Sequence, residues 1–381
     1  MPLSHLNPEQ FAAASAPFGH NLIIASAGTG KTSTIVARIA HLLSSGVEAS
    51  KILLLTFTNK AAAEMLSRLA KKFDKSVISS VSAGTFHATA YALLRANGFD
   101  ITLKQPSELK LLLKSIVGQR KFHHISDIGA FSAAYLYELY SFFFFIFGDD
   151  FEEWFRAKNG EQSVYSAIYA DILREFGEEK KRFGYADFND LLLYLKRALK
   201  EGDIAQEFTE ILVDEYQDTN LLQSSLIDAF GAKSLFCVGD YDQSIYAFNG
   251  ADISIIGSFK ERYKDAKIYA LNTNYRSSQN ILKLANRVIA INPRLYEKEL
   301  KVGREGVFSQ PRLLVYDDLF AQYKGIAQII SSLKVPSDEI AVIFRNNSSA
   351  DGVEIALKEL GIASKRKGSG SFFASREIKA L

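Results

Sequence analysis

The stretch His20–Ser45, HNLIIASAGTGKTSTIVARIAHLLSS, leaves few folds open. An apolar run meets a turn of small residues, and a helical pattern begins at Lys31 and continues to about Ser44. Gly28 and Gly30 let the backbone of that turn point its N–H groups inward, and the following helix aims its positive end at the same place. Ala25–Thr32, ASAGTGKT, fits the phosphate-loop pattern G-x-x-x-x-G-K-[ST], except that Ala25 replaces the first glycine. In that pattern Lys31 reaches the β- and γ-phosphates of a nucleotide and Thr32 ligates Mg²⁺. The competing reading is a glycine-rich turn with an incidental lysine.

A second stretch speaks against the competing reading. Ile211, Leu212 and Val213 run directly into Asp214 and Glu215, with Gln217 and Asp218 close behind. Adjacent ionised carboxylates repel, and burying them is costly unless a cation sits beside them. A metal bound to a phosphate is one answer. Asp214 then holds Mg²⁺ through water, and Glu215 orients and deprotonates the attacking water. An exposed acidic turn, the bland alternative, does not explain why apolar residues lead straight into the pair.

Strand-like runs alternate with helical patterns on both sides of these motifs. KILLLTFTN precedes KAAAEMLSRLAKKF, and VSAGTFHA reads as a third strand with its exit loop. EILVDE, SLFCVGD and KIYALN are further buried-strand candidates. Such alternation predicts a parallel sheet covered on both faces. Between about Tyr91 and Phe183 the strand signal fades and helical patterns take over, as expected of a helical insertion. RLLVYDD and EIAVIFRN read as strands of a second α/β unit, and FFASREIKAL at the end of the sequence reads as a helix. The Phe-rich stretch Phe142–Phe155, with Trp154, reads as a buried helix face, and Lys180, Lys181 and Arg182 as a solvated charge run.

Composition excludes several classes. With 381 residues the chain has room for two or three domains. The single cysteine, Cys237, rules out an intrachain disulfide framework, fits a reducing compartment and reads as a small core residue. The most apolar run, FFFFIF, is far too short to span a bilayer, and no secretory signal opens the chain, so a cytoplasmic protein without a membrane partner is expected. The net charge of +2 does not announce nucleic acid, although a local basic groove is compatible with it.

Beyond the phosphate loop, seven further motifs stand in a characteristic order: LNPEQ, LLLTFTNKAAAEM, AGTFHA, YADFNDLL, VDEYQDTN, VGDYDQSIYAFNGAD and NTNYRSSQNIL. With them the chain resembles the UvrD/Rep/PcrA-like superfamily 1 DNA helicases over essentially its whole length. The resemblance implies an α/β fold: a RecA-like P-loop NTPase parallel sheet with a helical insertion domain, plus part of a second RecA-like domain. The expected division is 1–90 with 184–276, 91–183, and 277–381.

The resemblance also implies roles. ATP and Mg²⁺ are the expected cofactors. Gln10 would read adenine, and Ala27, Gly28, Thr29, Gly30, Lys31, Thr32 and Ser33 would line the phosphates. Gln243 would sense the γ-phosphate, Tyr275 would stack on adenine and Arg276 would act as an arginine finger. On the DNA side, Phe57, Phe188, Tyr246 and Phe248 would stack on bases, with Thr56, Asn59 and His87 near the backbone. With 28 Phe in the chain most must be core, so only motif context singles these out. Single-stranded DNA and its junctions with duplex are the expected partners of a monomer. Two departures stand out: Phe248-Asn249 replaces the usual Trp-Arg, which bears on coupling between DNA and ATP, and Ser33 replaces an arginine near the base.

The leading expectation is the motor portion of an ATP-dependent 3′-to-5′ helicase of repair or replication restart. The sequence carries no counterpart of the family's late motifs. It therefore reads as an N-terminal portion that binds ATP, hydrolyses it poorly and does not unwind duplex. The alternatives are the helicase part of an AddA-type helicase–nuclease, and a nucleotide-dependent DNA-binding module without motor activity.

Overall fold

The computed structural model describes residues 3–120, 128–146, 151–158, 160–205, 207–296, 298–304, 306 and 309–367. Strands β1 (His20–Ala25), β2 (Ile52–Thr56) and β3 (Ser82–Thr85) come first. A two-strand pair, β4 (Thr102–Leu103) and β5 (Tyr185–Ala186), brackets a helical insertion. Strands β6 (Glu210–Val213), β7 (Ser234–Gly239) and β8 (Lys267–Leu271) follow. The main sheet has the order β3-β2-β6-β7-β1-β8 and every pairing in it is parallel.

Strands β1, β2, β6 and β7 read as nearly unbroken aliphatic runs because both faces of the sheet are covered. Side chains alternate between two cores. Leu22, Ile24, Leu53, Leu55, Ile211, Val213 and Cys237 enter one. Ile23, Ala25, Ile52, Leu54, Leu212, Phe236 and Val238 enter the other. Cys237 is fully buried, as its sequence context indicates.

The helix Lys31–Ser44 starts where Gly30 adopts φ +92°, a conformation only glycine takes cheaply. Its Arg38 is buried and forms a bidentate pair with Glu210, the first residue of β6, at 2.7 and 3.0 Å. A buried pair of this kind adds little net stability, but removing one partner strands a charge and costs about 3–5 kcal/mol. The pair fixes the phosphate-loop helix against the acidic strand.

The insertion packs its helices Pro106–Gly118, Ala133–Ile146, Phe151–Lys158 and Ser166–Arg182 around Leu113, Leu136, Phe143, Phe151, Trp154, Phe155, Tyr169 and Phe176. The Phe-rich stretch is thus core where its side chains are described; Phe147 and its neighbours to Asp150 lie outside the described residues. The expected charge run needs correcting. Lys181 and Arg182 are exposed, but Lys180 is buried between Asp187 and Asp190 at 2.5 and 2.6 Å. Two carboxylates at the start of the helix Phe188–Glu201 require a buried cation there, and helix periodicity turns Lys180 inward to supply it.

The chain divides into two compact units, one through Ser309 and one from Gln310. Residues 277–309, grouped with the later domain by sequence, fall in the first unit. There β9 (Thr273–Asn274) pairs in parallel with β10 (Lys301–Val302). The second unit packs the helices Leu319–Ser332 and Asn347–Glu359 around Ala327, Val353, Ala356 and Leu357. RLLVYDD and EIAVIFRN do not form strands. A strand needs a neighbour to take its N–H and C=O groups. Neither segment pairs among the described residues, and Leu313, Val315 and Ile343 are almost fully exposed. The FFASREIKAL segment lies outside the described residues. Among the described residues no helix is long and apolar enough to cross a membrane.

Candidate functional site

In an open parallel sheet every strand leaves at the same edge, so loops from distant sequence positions meet there. That edge carries the phosphate loop after β1, Thr56 and Phe57 after β2, and His87 just beyond β3. Asp214 and Glu215 follow β6, Gln243 and Tyr246 follow β7, and Tyr275 and Arg276 come after β8, just past the short β9 outside the main sheet.

The phosphate loop is held from two sides. From the N-terminal helix Pro8–Ala14, buried Gln10 donates to the Thr29 carbonyl at 2.9 Å and sits where a Cβ on Gly30 would fall. From the 272–276 segment, Asn274 donates to the Ala27 carbonyl at 2.6 Å and the Tyr275 N–H to the Gly28 carbonyl at 2.8 Å. A Cβ on Gly28, whose φ is +78°, would lie 2.6 Å from Arg276 Cβ, so glycine is required there by conformation and by space. Tyr275 is half exposed and its hydroxyl accepts from Asn7 at 2.7 Å; Arg276 is exposed beside the loop. Thr32 and Ser33 lie half-buried on the first helical turn, and the Thr29 hydroxyl closes the loop onto the Ser26 carbonyl at 2.7 Å.

Across from the loop stands the acidic strand end. Lys31 Nζ reaches Glu215 Oε2 at 2.5 Å. Glu215 has φ +50°, the one non-glycine residue in the left-handed region among the described residues. Such a backbone costs about 1–3 kcal/mol and is kept where surrounding contacts enforce it. Here Lys31 and the Gln217 amide, at 3.0 Å, both hold its carboxylate. Burial, together with the Glu215 charge, pushes the Asp214 carboxyl up to about 6, against an opposing pull from Lys31. The same causes push Asp218 up to about 6. Three carboxylates thus share one lysine, and Asp218 Oδ1 is buried without a partner.

A raised carboxyl pKa has a definite sign. Ionised Asp214 is disfavoured in the folded chain, so the penalty is absent below about pH 4, builds as pH rises from there to about 6 and is fully present above it. We therefore expect Asp214→Asn to stabilise the ligand-free chain near neutral pH by up to about 2–3 kcal/mol, and to leave it unchanged at pH 4. Thermal melts at both pH values measure this. A destabilised variant at pH 7.5 overturns the charge argument.

Two clefts open at this edge. One of about 490 Å³ is lined by Asp214, Glu215, Gln217, Asp218 and Gln243 together with Phe57 and Tyr246. The second, of about 260 Å³, is lined by Thr56, Phe57, His87, Asn220 and Tyr246. Phe57 and Tyr246 therefore border both. Their rings are 5.1 Å apart, and Phe248, 72% exposed, is 5.9 Å from Tyr246. Phe188 meets His87 edge-on at 5.7 Å. Burial lowers the His87 pKa, against the pull of Asp187, and His87 Nε2 is buried without a partner. Thr56 is buried and its hydroxyl donates to the Thr58 carbonyl at 2.9 Å, while Asn59 is exposed on the first turn of its helix.

Four residues to which the sequence assigned no role organise the site. Asn274 caps the turn at Arg276 as well as gripping the loop, accepting from the Arg276 and Ser277 N–H groups at 3.0 and 2.7 Å. Glu9 accepts from the Asn272 N–H at 2.8 Å. Gln217 accepts from the Asp240 N–H at 2.9 Å while its amide donates to Glu215 and Asp218. Lys298 binds Asp240 and Asp242. The first three lie inside quoted motifs or next to one, so the motifs held a signal. Lys298 had none.

Comparison with known proteins agrees with this geometry. The UvrD/REP helicase N-terminal domain model matches residues 6–264, and the UvrD-like helicase C-terminal domain model matches 269–381. The chain is 33% identical to the ATP-dependent DNA helicase UvrD2 of Mycobacterium tuberculosis, over 99% of this chain and 57% of that protein. It is 32% identical to the ATP-dependent DNA helicase PcrA of Bacillus subtilis, over 100% of this chain and 52% of that protein. It is 33% identical to DNA helicase II of Haemophilus influenzae, over 99% and 53% respectively. The chain thus spans about half the length of the curated relatives it matches. With a parallel sheet that gathers a phosphate loop, an acidic strand end and an aromatic-lined cleft at one edge, and with both models together matching nearly all of its length, the chain belongs to the UvrD/REP helicase family.

Proposed function

We propose that this chain is the ATP-hydrolysing motor portion of a DNA helicase that moves 3′-to-5′ on single-stranded DNA as a monomer and engages junctions with duplex, in repair or replication restart. Its working division is a RecA-like domain from 1–90 and 184–276, an insertion at 91–183, and part of a second domain at 277–381, of which 277–309 group with the first compact unit. The observation that carries the reading is the 2.5 Å pair between Lys31 of the phosphate loop and Glu215 of the acidic strand end. The reading takes Lys31 as the phosphate-binding cation and Glu215 as the general base, with Arg276 packed against the phosphate loop at Gly28.

A magnesium nucleotide is the ligand this reading calls for. Mg²⁺ is commonly held by one or two protein groups plus substrate phosphates and waters, and here Thr32 and Asp214 would hold it. When bound, it neutralises charge on the phosphates. Lys31 moves from Glu215 to the phosphate oxygens, which frees Glu215 to take a proton from the attacking water. Arg276 and Lys31 bear on the charge that develops at the γ-phosphate. Gln243 reports the γ-phosphate to the Phe57–Tyr246–Phe248 track, where bases stack.

Calorimetric titration with Mg-ATP tests the reading. We expect a single site, and about 10²-fold weaker binding for Lys31→Ala, as expected when a charge-assisted contact is lost. No heat from the unmodified chain, or equal affinity in both, sinks the proposal. Asn249, in place of a basic residue, favours a second reading, a nucleotide-dependent DNA-binding module. ATP turnover that single-stranded DNA does not change would select it.

A further inference from the structure

The segment that follows Arg276 returns to the nucleotide edge through one buried lysine. Lys298 donates to Asp240 Oδ1 and, at 2.8 Å, to Asp242 Oδ2. Its side chain is only 5% exposed, and it lies 5.1 Å from the centre of the Tyr241 ring. Arg294 adds a 3.0 Å contact to Asp242. Tyr241 and Tyr296 pin the same segment, with the Tyr241 hydroxyl donating to the Tyr296 carbonyl at 2.8 Å.

What this lysine holds is the turn that carries Gln243. Asp240 caps the turn Tyr241–Gln243 and accepts the Gln243 side-chain amide on Oδ2. Its other oxygen is taken by Lys298 and by the Asp242 N–H at 3.3 Å. Asp240 and Asp242 are nearly buried carboxylates two positions apart. Without a cation between them they repel, and the turn opens.

The contacts also form a continuous line. It runs from Lys31 to Glu215, to the Gln217 amide, to the Asp240 N–H, and from the Asp240 carboxylate to Lys298. Three residues beyond Lys298 begins β10; the Lys301 N–H and, just past the strand, the Gly303 N–H bond the Asn272 and Asn274 carbonyls at 2.8 Å. Asn274 in turn caps Arg276.

We infer that Lys298 is a positioning residue for γ-phosphate recognition: it sets the turn that presents Gln243 and ties that turn to the segment bearing Arg276. The inference rests on the reading of Gln243 given above. It assigns Lys298 no contact with nucleotide, so its loss should affect ATP and spare ADP.

The experiment measures Mg-ATPγS and Mg-ADP affinity of the full 381-residue chain by calorimetry, with unfolding midpoints recorded in parallel. We expect Lys298→Met to reduce the preference for the triphosphate at least ~5-fold, as losing a charged hydrogen bond implies. ADP affinity should stay within about 2-fold, because no lost contact faces the diphosphate. Lys298→Arg, which keeps the charge, should recover most of the preference. If Lys298→Met does not fold, Asp242→Asn loosens the same anchor and should lower the preference by a smaller factor. A Lys298→Met chain that keeps its preference, while Gln243→Ala loses it, overturns the inference. So does an equal loss for ATPγS and ADP. If Gln243→Ala itself keeps the preference, the sensor reading fails first and the role of Lys298 goes with it.

Discussion

Glu215→Gln is expected to slow hydrolysis of ATP by about 10²–10⁴-fold, the usual contribution of a positioned general base, while ATP binds more tightly than to the unmodified chain. The two effects share one cause. In the structure the Glu215 carboxylate holds Lys31 at 2.5 Å, so a nucleotide must draw the lysine away from an ion pair before engaging it. Glutamine keeps the shape and the contact with Gln217 but removes the charge. Lys31 is then released to the phosphates at lower cost, and no group takes the proton from water. Single-turnover hydrolysis with the protein in excess, beside equilibrium titration, separates the two readouts. Glutamine also preserves the left-handed backbone at φ +50°, so the change is not a folding test. Unchanged hydrolysis with weaker binding would assign Glu215 to structure rather than chemistry.

The second large effect concerns the aromatic track. Tyr246→Ala with Phe248→Ala should weaken single-stranded DNA binding by about 1–3 kcal/mol for each stack lost, or roughly 5- to 150-fold per ring. Neither side chain is buried in the core, so the substitutions leave the sheet intact. Stacking is sequence-tolerant, so the loss should be similar for oligo-dT and mixed-sequence strands. It should also leave the salt dependence nearly unchanged, because no phosphate contact is removed. Fluorescence anisotropy at several salt concentrations measures both. A loss confined to low salt would point to displaced cations instead of stacking. Phe57→Ala should add to the same loss, because its ring packs at 5.1 Å on Tyr246 and borders the same two clefts.

Much of this arrangement is legible in the sequence, for a local reason. An aliphatic run and the glycine turn after it announce a strand end, and a strand end fixes where its next residues lie. Lys31, Asp214, Glu215 and Gln243 all stand within a few residues of a strand terminus in the parallel sheet, so their residue types and spacing sufficed to propose one site. Cys237 and the Phe-rich stretch were equally readable, since burial follows apolar neighbours.

Pairings between distant segments were not readable. RLLVYDD and EIAVIFRN have strand-like alternation, yet a strand exists only with a partner, and neither has one among the described residues. Lys180 sat in a run of three basic residues and proved to be the buried counter-ion of Asp187 and Asp190. Lys298, fifty-eight residues from Asp240, carried no motif at all. The sequence by itself determined the sheet, the phosphate loop and the acidic strand end, because short-range periodicity and turn chemistry encode them. Only the tertiary structure decided which cation serves which carboxylate, because a buried charge takes its partner from whatever the fold brings within about 3 Å, at any separation along the chain.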